Sequence, residues 1–269
     1  MQTVASTGRL SSVEPNLQNI PIRLELGRKI RNFFVGENDN MIMDADYSQI
    51  ELRVLSHIAD DPVMINSFKE GIDIHKTTAS QVFDIPIDEV TNQMRSHAKA
   101  VNFGIVYGIS GFGLAKNIST TTKEASNYIQ KYLEKYNKIQ EFMNNVVDTA
   151  KKDGYVNTLF NRRRYIPELN NKNKNIVEFG KRIAMNTPIQ GTAADIIKIA
   201  MNRIYKRLKE NNLNSKLIMQ VHDELIIEVI PDEIEIVKDI MKKEMENVIS
   251  LKVPLEVDLN IGKTWYEAH

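Results

Sequence analysis

Apolar and polar positions alternate over Met41–Asp46, MIMDAD, with Ile42, Asp44 and Asp46 on one side and Met41, Met43 and Ala45 on the other. This predicts a buried strand that ends in carboxylates. The period then becomes helical over Gln49–Ala59, where Ile50, Val54, Leu55 and Ile58 form the apolar face and Glu51 lies near the start. Short elements punctuated by Pro62, Gly71 and Pro86 follow. A helix is predicted across Met94–Gly108, packed through Ala98, Val101, Ile105 and Val106, with Gly108, Gly111 and Gly113 as its C-cap and turn. Thr121–Lys152 reads as one long helix. Gly154–Pro167 reads as a hairpin or loop around NRRRY. A helix near Ile176–Asn186 is expected to break at Pro188, with another over Thr192–Glu210. Lys216–Ile230, KLIMQVHDELIIEVI, predicts a hairpin with His222, Asp223 and Glu224 at its tip. An amphipathic helix over Glu233–Ile249 and a strand over Leu255–Ile261 close the chain. Residues 1–24, rich in Ser, Asn, Pro and Gln, read as turns and short extended pieces.

Composition changes this picture little. The chain has 269 residues, enough for one large or two modest domains, with 35 basic and 35 acidic side chains. Neutral net charge does not advertise a nucleic-acid partner, but the local distribution is what counts. With no cysteine, disulfides and thiolate metal sites are excluded. No apolar run approaches the roughly 18 residues of a membrane span, and there is no signal-peptide core, so an intracellular soluble protein with no membrane partner is expected.

Candidate chemistry is concentrated in three places. Arg95, Lys99, Phe103 and Tyr107 are four apart, so a helix stacks them along one stripe: two cations suited to a polyphosphate, then two aromatic faces suited to a base or sugar. The alternative is a surface helix with solvated cations and core-capping aromatics. Asp44 and Asp46, at a strand end before a helix, fit a cation or phosphate site, or else an N-cap. Acids at the tip of two buried strands, Asp223 and Glu224, are expensive without a compensating cation, unless the turn is an ordinary exposed one. His75 by itself reads as structural. Arg162, Arg163, Arg164, Lys172, Lys174, Lys181 and Arg182 make the most basic segment and a path for a phosphate backbone. Arg9, Arg23, Arg28, Lys29 and Arg31 read mostly as a solvated face.

Together, DYSQIELR at 46–53, the Arg95-Lys99-Phe103-Tyr107 stripe and QVHDE at 220–224 resemble the three signature motifs of family A DNA polymerases, of the bacterial DNA polymerase I type. TGRLSS-x₂-PNLQNIP and NTPIQGTAADI are similar to that family as well. The resemblance implies an α+β fold: a right-hand polymerase palm, an antiparallel sheet with packed helices, made from residues 1–60 and 182–269. A mostly helical fingers insertion would span 61–181. It also implies a fragment that begins after the thumb, without exonuclease domains. Implied partners are primer-template DNA and deoxynucleoside triphosphates. The implied protein is a monomer in the bacterial cytoplasm, at the nucleoid, serving replication and repair.

The chemistry implied is attack of a primer 3′-hydroxyl on the α-phosphate of a deoxynucleotide. Asp46 and Asp223, with the Tyr47 carbonyl, would hold two Mg²⁺ ions, and Glu224 would be a supporting acid. Arg95, Lys99 and His75 resemble the triphosphate grip, Lys99 also serving the leaving pyrophosphate. Phe103 would lie against the sugar, Tyr107 would mark the templating position, Glu51 would exclude a ribose 2′-hydroxyl, and Gln49 would line the triphosphate pocket. Arg9, Arg182, Asn186, Gln190 and His222 resemble contacts to DNA. Three rivals stand beside this reading. A single-subunit RNA polymerase would want a smaller residue than Glu51, and a metal phosphohydrolase would need more clustered histidines. The third is a catalytically weak DNA-binding fragment lacking the thumb.

Overall fold

The computed structural model describes residues 1, 5–21 and 25–269. Arg23, one of the opening cations, lies outside them. In chain order the helices are α1 (Glu25–Arg28), α2 (Ile50–Ala59), α3 (Pro62–Lys69), α4 (Ile74–Phe83), α5 (Asn92–Val106), α6 (Gly111–Ile118), α7 (Thr122–Lys135), α8 (Asn137–Asp153), α9 (Lys174–Glu210) and α10 (Ile234–Glu246). The strands are β1 (Met41–Tyr47), β2 (Tyr155–Asn157), β3 (Arg163–Tyr165), β4 (Lys216–Val221), β5 (Glu224–Val229) and β6 (Val257–Gly262). Among the described residues, no helix is long and apolar enough to cross a membrane. The described chain divides into two compact units: Met1–Ile50 with Ala193–Ser250 and Leu255–His269, and Glu51–Thr192 with Leu251–Pro254.

The first unit is built on an antiparallel sheet in the order β4-β5-β1-β6. Strand β1 lies inside the sheet, and all seven of its residues are buried or half-buried, sorted between the two faces by their alternation. Met43, Ala45, Leu225, Ile227 and Val229 are all buried, as are Val237, Ile240, Met241 and Met245 of α10. The Tyr47 hydroxyl donates to the Met245 carbonyl at 2.7 Å, tying strand to helix. On the opposite face Ile42, Val221 and Ile226 pack with Trp265 and Ala268. Trp265 is fully buried, and the Phe34 ring meets it edge-on at 5.3 Å. Truncating such a residue to alanine costs about 3–5 kcal/mol.

The second unit is helical apart from the β2–β3 hairpin. Its sequence signals are conventional: Asp61, Asp73, Thr91, Ser110 and Thr121 each cap a helix N-terminus with a side-chain oxygen. Val147 and Ala150 of α8, Val156 of β2, and Ile183 and Ala184 of α9 form one core around the hairpin. The Leu251–Pro254 segment joins this unit through the Arg53 guanidinium, which donates to the Pro254 carbonyl at 2.7 Å, and through Lys252–Asp60 at 2.6 Å.

Three expected boundaries are corrected. The helix does not break at Pro188: α9 runs unbroken from Lys174 to Glu210. A proline in mid-helix costs about 3 kcal/mol. Here burial of Ile183, Ala184, Ile189, Ala193 and Ile197 on both sides outweighs that, and the Thr187 hydroxyl takes up the Ile183 carbonyl at 2.7 Å. The long helix over 121–152 is two helices, parted at Tyr136, whose backbone (φ −103, ψ 60) leaves the helical region. Gly111 and Gly113 do not close α5; Ser110 caps a new helix, α6, that contains them. Gly108 does make the turn, at φ +63, a conformation natural to glycine.

Candidate active site

The sheet register assembles the acids. Asp46 stands across from Glu224 on β5 and from Asp258 on β6. Residues directly opposite in an antiparallel pair share a face, so Asp44, Asp46 and Glu224 lie on one side of the sheet. Asp223 belongs to the two-residue turn between β4 and β5. Its carbonyl accepts from the Tyr47 amide at 3.2 Å, which fastens the turn to the end of β1. His222, exposed in the same turn, takes φ +50, and the Gln220 amide donates to the His222 carbonyl. Two carboxylates remote in sequence thereby reach the same end of the sheet.

Their electrostatics are unfavourable as they stand. Burial, then the charges of Glu224, Asp223 and Asp44, push the Asp46 carboxyl up to about 7. Burial also raises Asp223, against Arg9 and His222, which favour its charged form. Like charges held together in a partly dry site are relieved by a bound cation. An all-oxygen donor set fits a hard divalent ion such as Mg²⁺.

A second acidic group lies on the same face. Ligand atoms of Asp44, Glu224 and His269 all fall within 4.8 Å of one another. This group carries its own positive charge: Arg31 Nη2 is 3.3 Å from Glu224 Oε1, and His269 Nδ1 is 3.0 Å from Glu224 Oε2. Hydrogen bonds with Asp44 and Glu224 push His269 up to about 9. Neutralised from within, the group leaves Asp46 and Asp223 as the carboxylates suited to an ion. Glu224 is raised by burial despite its His269 contact.

In the second unit α5 carries the cationic-aromatic stripe. The Arg95 Nε donates to Asp73 Oδ2 at 2.7 Å. Asp73 Oδ1 meanwhile accepts from the His75 and Lys76 amides at 2.9 and 3.2 Å, capping α4. Lys99 is exposed and makes no ion pair among the described residues. His75 is buried, and its ring lies 5.7 Å from that of Phe103. Burial lowers the His75 pKa to about 4, helped by Lys99 and Arg95 and opposed by Asp73. The Asn102 amide meets His75 Nδ1 at 3.0 Å, which leaves the proton of the neutral ring on Nε2. Tyr107 follows the last turn of α5 and is 43% exposed.

The remaining expected residues are spread over both units. Gln49 has a left-handed backbone (φ +54), and its Oε1 is buried without a donor. Glu51 is buried in the first turn of α2. Arg182 is exposed on α9, its guanidinium 5.8 Å from the Phe179 ring, and its Cγ would lie 3.0 Å from a Cβ added at Gly108. With its amide nitrogen turned toward them, Asn186 donates to the carbonyls of Arg182 and Val106. Gln190 is buried on the same helix. Much of the NRRRY charge is spent internally: Arg162 donates to the Gly191 carbonyl at 2.8 Å and Arg164 to the Thr187 hydroxyl at 3.1 Å. Arg163 lies over the Tyr155 ring at 3.9 Å.

Arg31, read from sequence as part of a solvated face, is instead 4% exposed, because Glu224 and the Trp265 ring cover it. Sequence reasoning missed Asp73 and His269: Asp73 had a local signal, an Asp just before a helical run, whereas His269 acquires its neighbours only through the fold.

An antiparallel sheet with carboxylates gathered at one end of an inner strand, joined in one chain to a helical unit, defines the class: an α+β fold. The model of DNA polymerase family A matches residues 1–267, and the chain belongs to that family. It is 55% identical over 267 residues to DNA polymerase I of Caldicellulosiruptor bescii, covering 99% of this chain and 31% of that protein. DNA polymerase I of Bacillus subtilis is 55% identical over 268 residues, covering 99% and 30%. The chain thus spans about a third of the length of these relatives. The POL domain of Pol1 from M. smegmatis, in complex with DNA primer-template and dNTP, superposes with a TM-score of 0.95 at 45% identity, covering 99% of this chain and 47% of that one.

Proposed function

We propose that this chain carries the nucleotidyl-transfer centre of a DNA-directed DNA polymerase, with primer-template DNA and deoxynucleoside triphosphates as its substrates. The observation that carries the reading is the joining of Asp46 and Asp223 at one sheet end, where burial and mutual repulsion call for a cation. Its palm is residues 1–60 and 182–269 and its fingers 61–181. The primer 3′-hydroxyl gives up its proton to solvent, its oxygen forms a bond to the α-phosphorus, the bond from that phosphorus to the α–β bridging oxygen breaks, and pyrophosphate leaves. Divalent ions, two Mg²⁺ held by Asp46, Asp223 and the Tyr47 carbonyl, would supply charge stabilisation at the attacking and leaving oxygens.

This chain's own side chains do the rest. Arg95, oriented by Asp73, and Lys99 bind the triphosphate oxygens, and the unpaired ammonium of Lys99 neutralises or protonates the departing pyrophosphate. His75, uncharged at neutral pH, offers a hydrogen bond. Gln49 lines the triphosphate pocket. Phe103 lies against the sugar, Glu51 occupies the volume a 2′-hydroxyl would need, and Tyr107 marks the templating base. Arg9, Arg182, Asn186, Gln190 and His222 contact the DNA. The test is primer extension with Mg²⁺ by this chain and by Asp223→Ala. Template-directed incorporation that disappears in the variant supports the reading; equal incorporation by both, or incorporation by neither, overturns it.

A further inference from the structure

Asp44 and Glu224 are 2% and 4% exposed, yet each is met by positively charged or N–H groups from distant parts of the chain. His269 Nδ1 lies 3.0 Å from Glu224 Oε2 and 3.3 Å from Asp44 Oδ2. Arg31 Nη2 lies 3.3 Å from Glu224 Oε1. The Arg31 guanidinium is itself seated 4.0 Å above the Trp265 ring, whose Nε1 donates to Asp44 Oδ2 at 3.3 Å. Each oxygen of Glu224 thus has a cationic partner of its own, one from the Lys29–Phe33 turn and one from the segment after β6. Glu224 is also the residue opposite Asp46 across the β1–β5 pair. Released from either partner, its carboxylate would be an additional anion on the same sheet face as Asp46.

We propose that His269 and Arg31 are positioning residues for nucleotidyl transfer: they occupy both oxygens of Glu224 and so keep it from joining Asp46 and Asp223 as a third ligand. The cluster fixes how much negative charge the ion site presents. Losing one partner of a buried, hydrogen-bonded charge leaves the other uncompensated, so Glu224 must reorient. Groups that orient ligands in this indirect way typically change metal affinity or activity by about 10–100-fold.

The kinetic arm of the test rests on the polymerase reading; a second arm does not. Single-nucleotide incorporation would be measured for the full chain and for His269→Ala, His269→Asn, Glu224→Gln and the Ala/Gln double variant. Mn²⁺ binding without DNA would be followed by electron paramagnetic resonance. Emission of Trp265, the chain's one tryptophan, checks folding. The expected result for His269→Ala is a kcat lower by roughly 10–100-fold with the nucleotide KM within about twofold. Asparagine, which keeps a donor where Nδ1 was, restores most of that loss. Adding Glu224→Gln to His269→Ala recovers part of that loss, because the amide brings no third negative charge to the ion site. Mn²⁺ binds several-fold more tightly to His269→Ala, and that gain vanishes in the double variant. A His269→Ala chain with native emission, unchanged kcat and unchanged Mn²⁺ affinity overturns the proposal, as does a loss that multiplies with Glu224→Gln. If the parent chain extends no primer, the polymerase reading fails while the Mn²⁺ comparison still decides this one. A variant with altered emission hands the decision to His269→Asn combined with Glu224→Gln.

Discussion

The acidic sheet end and the cationic helix are built on opposite plans. In the first unit, Asp44, Asp46, Asp223 and Glu224 are held by strand register and a tight turn, mostly out of water, and their charges work against one another. In the second, Arg95 and Lys99 stand on a helix surface in contact with solvent, with Arg95 held by the single carboxylate of Asp73. On the proposed function, the difference follows from what each charge would do. Carboxylates that bind a small ion need fixed, converging oxygens, and a sheet supplies fixed positions. Cations that follow a flexible polyphosphate need reach, which long side chains on a helix supply. The anionic region gives up stability for that arrangement, whereas the cationic one costs little.

Asp46→Asn breaks the comparison most sharply. It should abolish nucleotide incorporation, by at least about a thousandfold where an ion-binding carboxylate is lost, while raising thermal stability. The sign follows from linkage. A carboxyl raised from its ordinary value to about 7 binds more protons folded than unfolded between those values, so its contribution to stability falls as pH rises through that window. Asparagine removes that contribution, a gain of at most about 4 kcal/mol at neutral pH. A melting curve in which Asp46→Asn is less stable than the parent at pH 8 would show the acids are not in conflict. Lys99→Ala should act on the other region with less force: a fall in kcat of roughly a hundredfold, no change in melting, and partial recovery in Lys99→Arg. A substantial loss of melting temperature in Lys99→Ala would mean this exposed side chain is structural after all.

What was legible in the sequence divides along the same line. Local patterns gave the strand at 41–47, the hairpin at 216–229 and the stripe helix within about two residues, because each is specified by its own alternation or period. Pro188 misled because its local cost is overruled by packing along the whole of α9, which no window of sequence contains. The same blindness hid Arg31 and His269, ordinary in their own neighbourhoods and meaningful only beside Glu224. Asp46 and Asp223 could be paired in advance through the resemblance of their motifs to a family. Their raised pKa values depend on burial and, for Asp46, on Glu224, Asp223 and Asp44 as well, and could not be.

Asp73→Asn sharpens the contrast at moderate cost. Asparagine keeps the oxygen that caps α4 but presents an amide to Arg95, so the cap survives and the ion pair does not. The nucleotide KM should rise several-fold, about 1 kcal/mol in a partly exposed contact, with kcat and melting near those of the parent. If the kinetic constants match those of the parent, Arg95 needs no tether and is placed by its helix alone.

His75 tests whether the helical unit also carries a buried titration. Held at about 4, well below its ordinary 6.5, the ring stays neutral in the folded chain where the unfolded chain would already be protonated. Between those two values the unfolded state binds more protons, so folding stability drops as pH falls, by at most about 1.4 kcal/mol per unit. Above 6.5 the contribution is fully present, and below 4 nothing more is lost. His75→Gln should flatten that limb of the pH–stability curve, measured by urea unfolding from pH 4 to 7. Because the Asp46 term slopes the other way over part of the same range, the comparison is made in the Asp46→Asn background, and the His75 limb is the difference in slope with and without His75→Gln. An unaltered slope there would place the proton uptake on another group and remove His75 from the list of buried neutral residues.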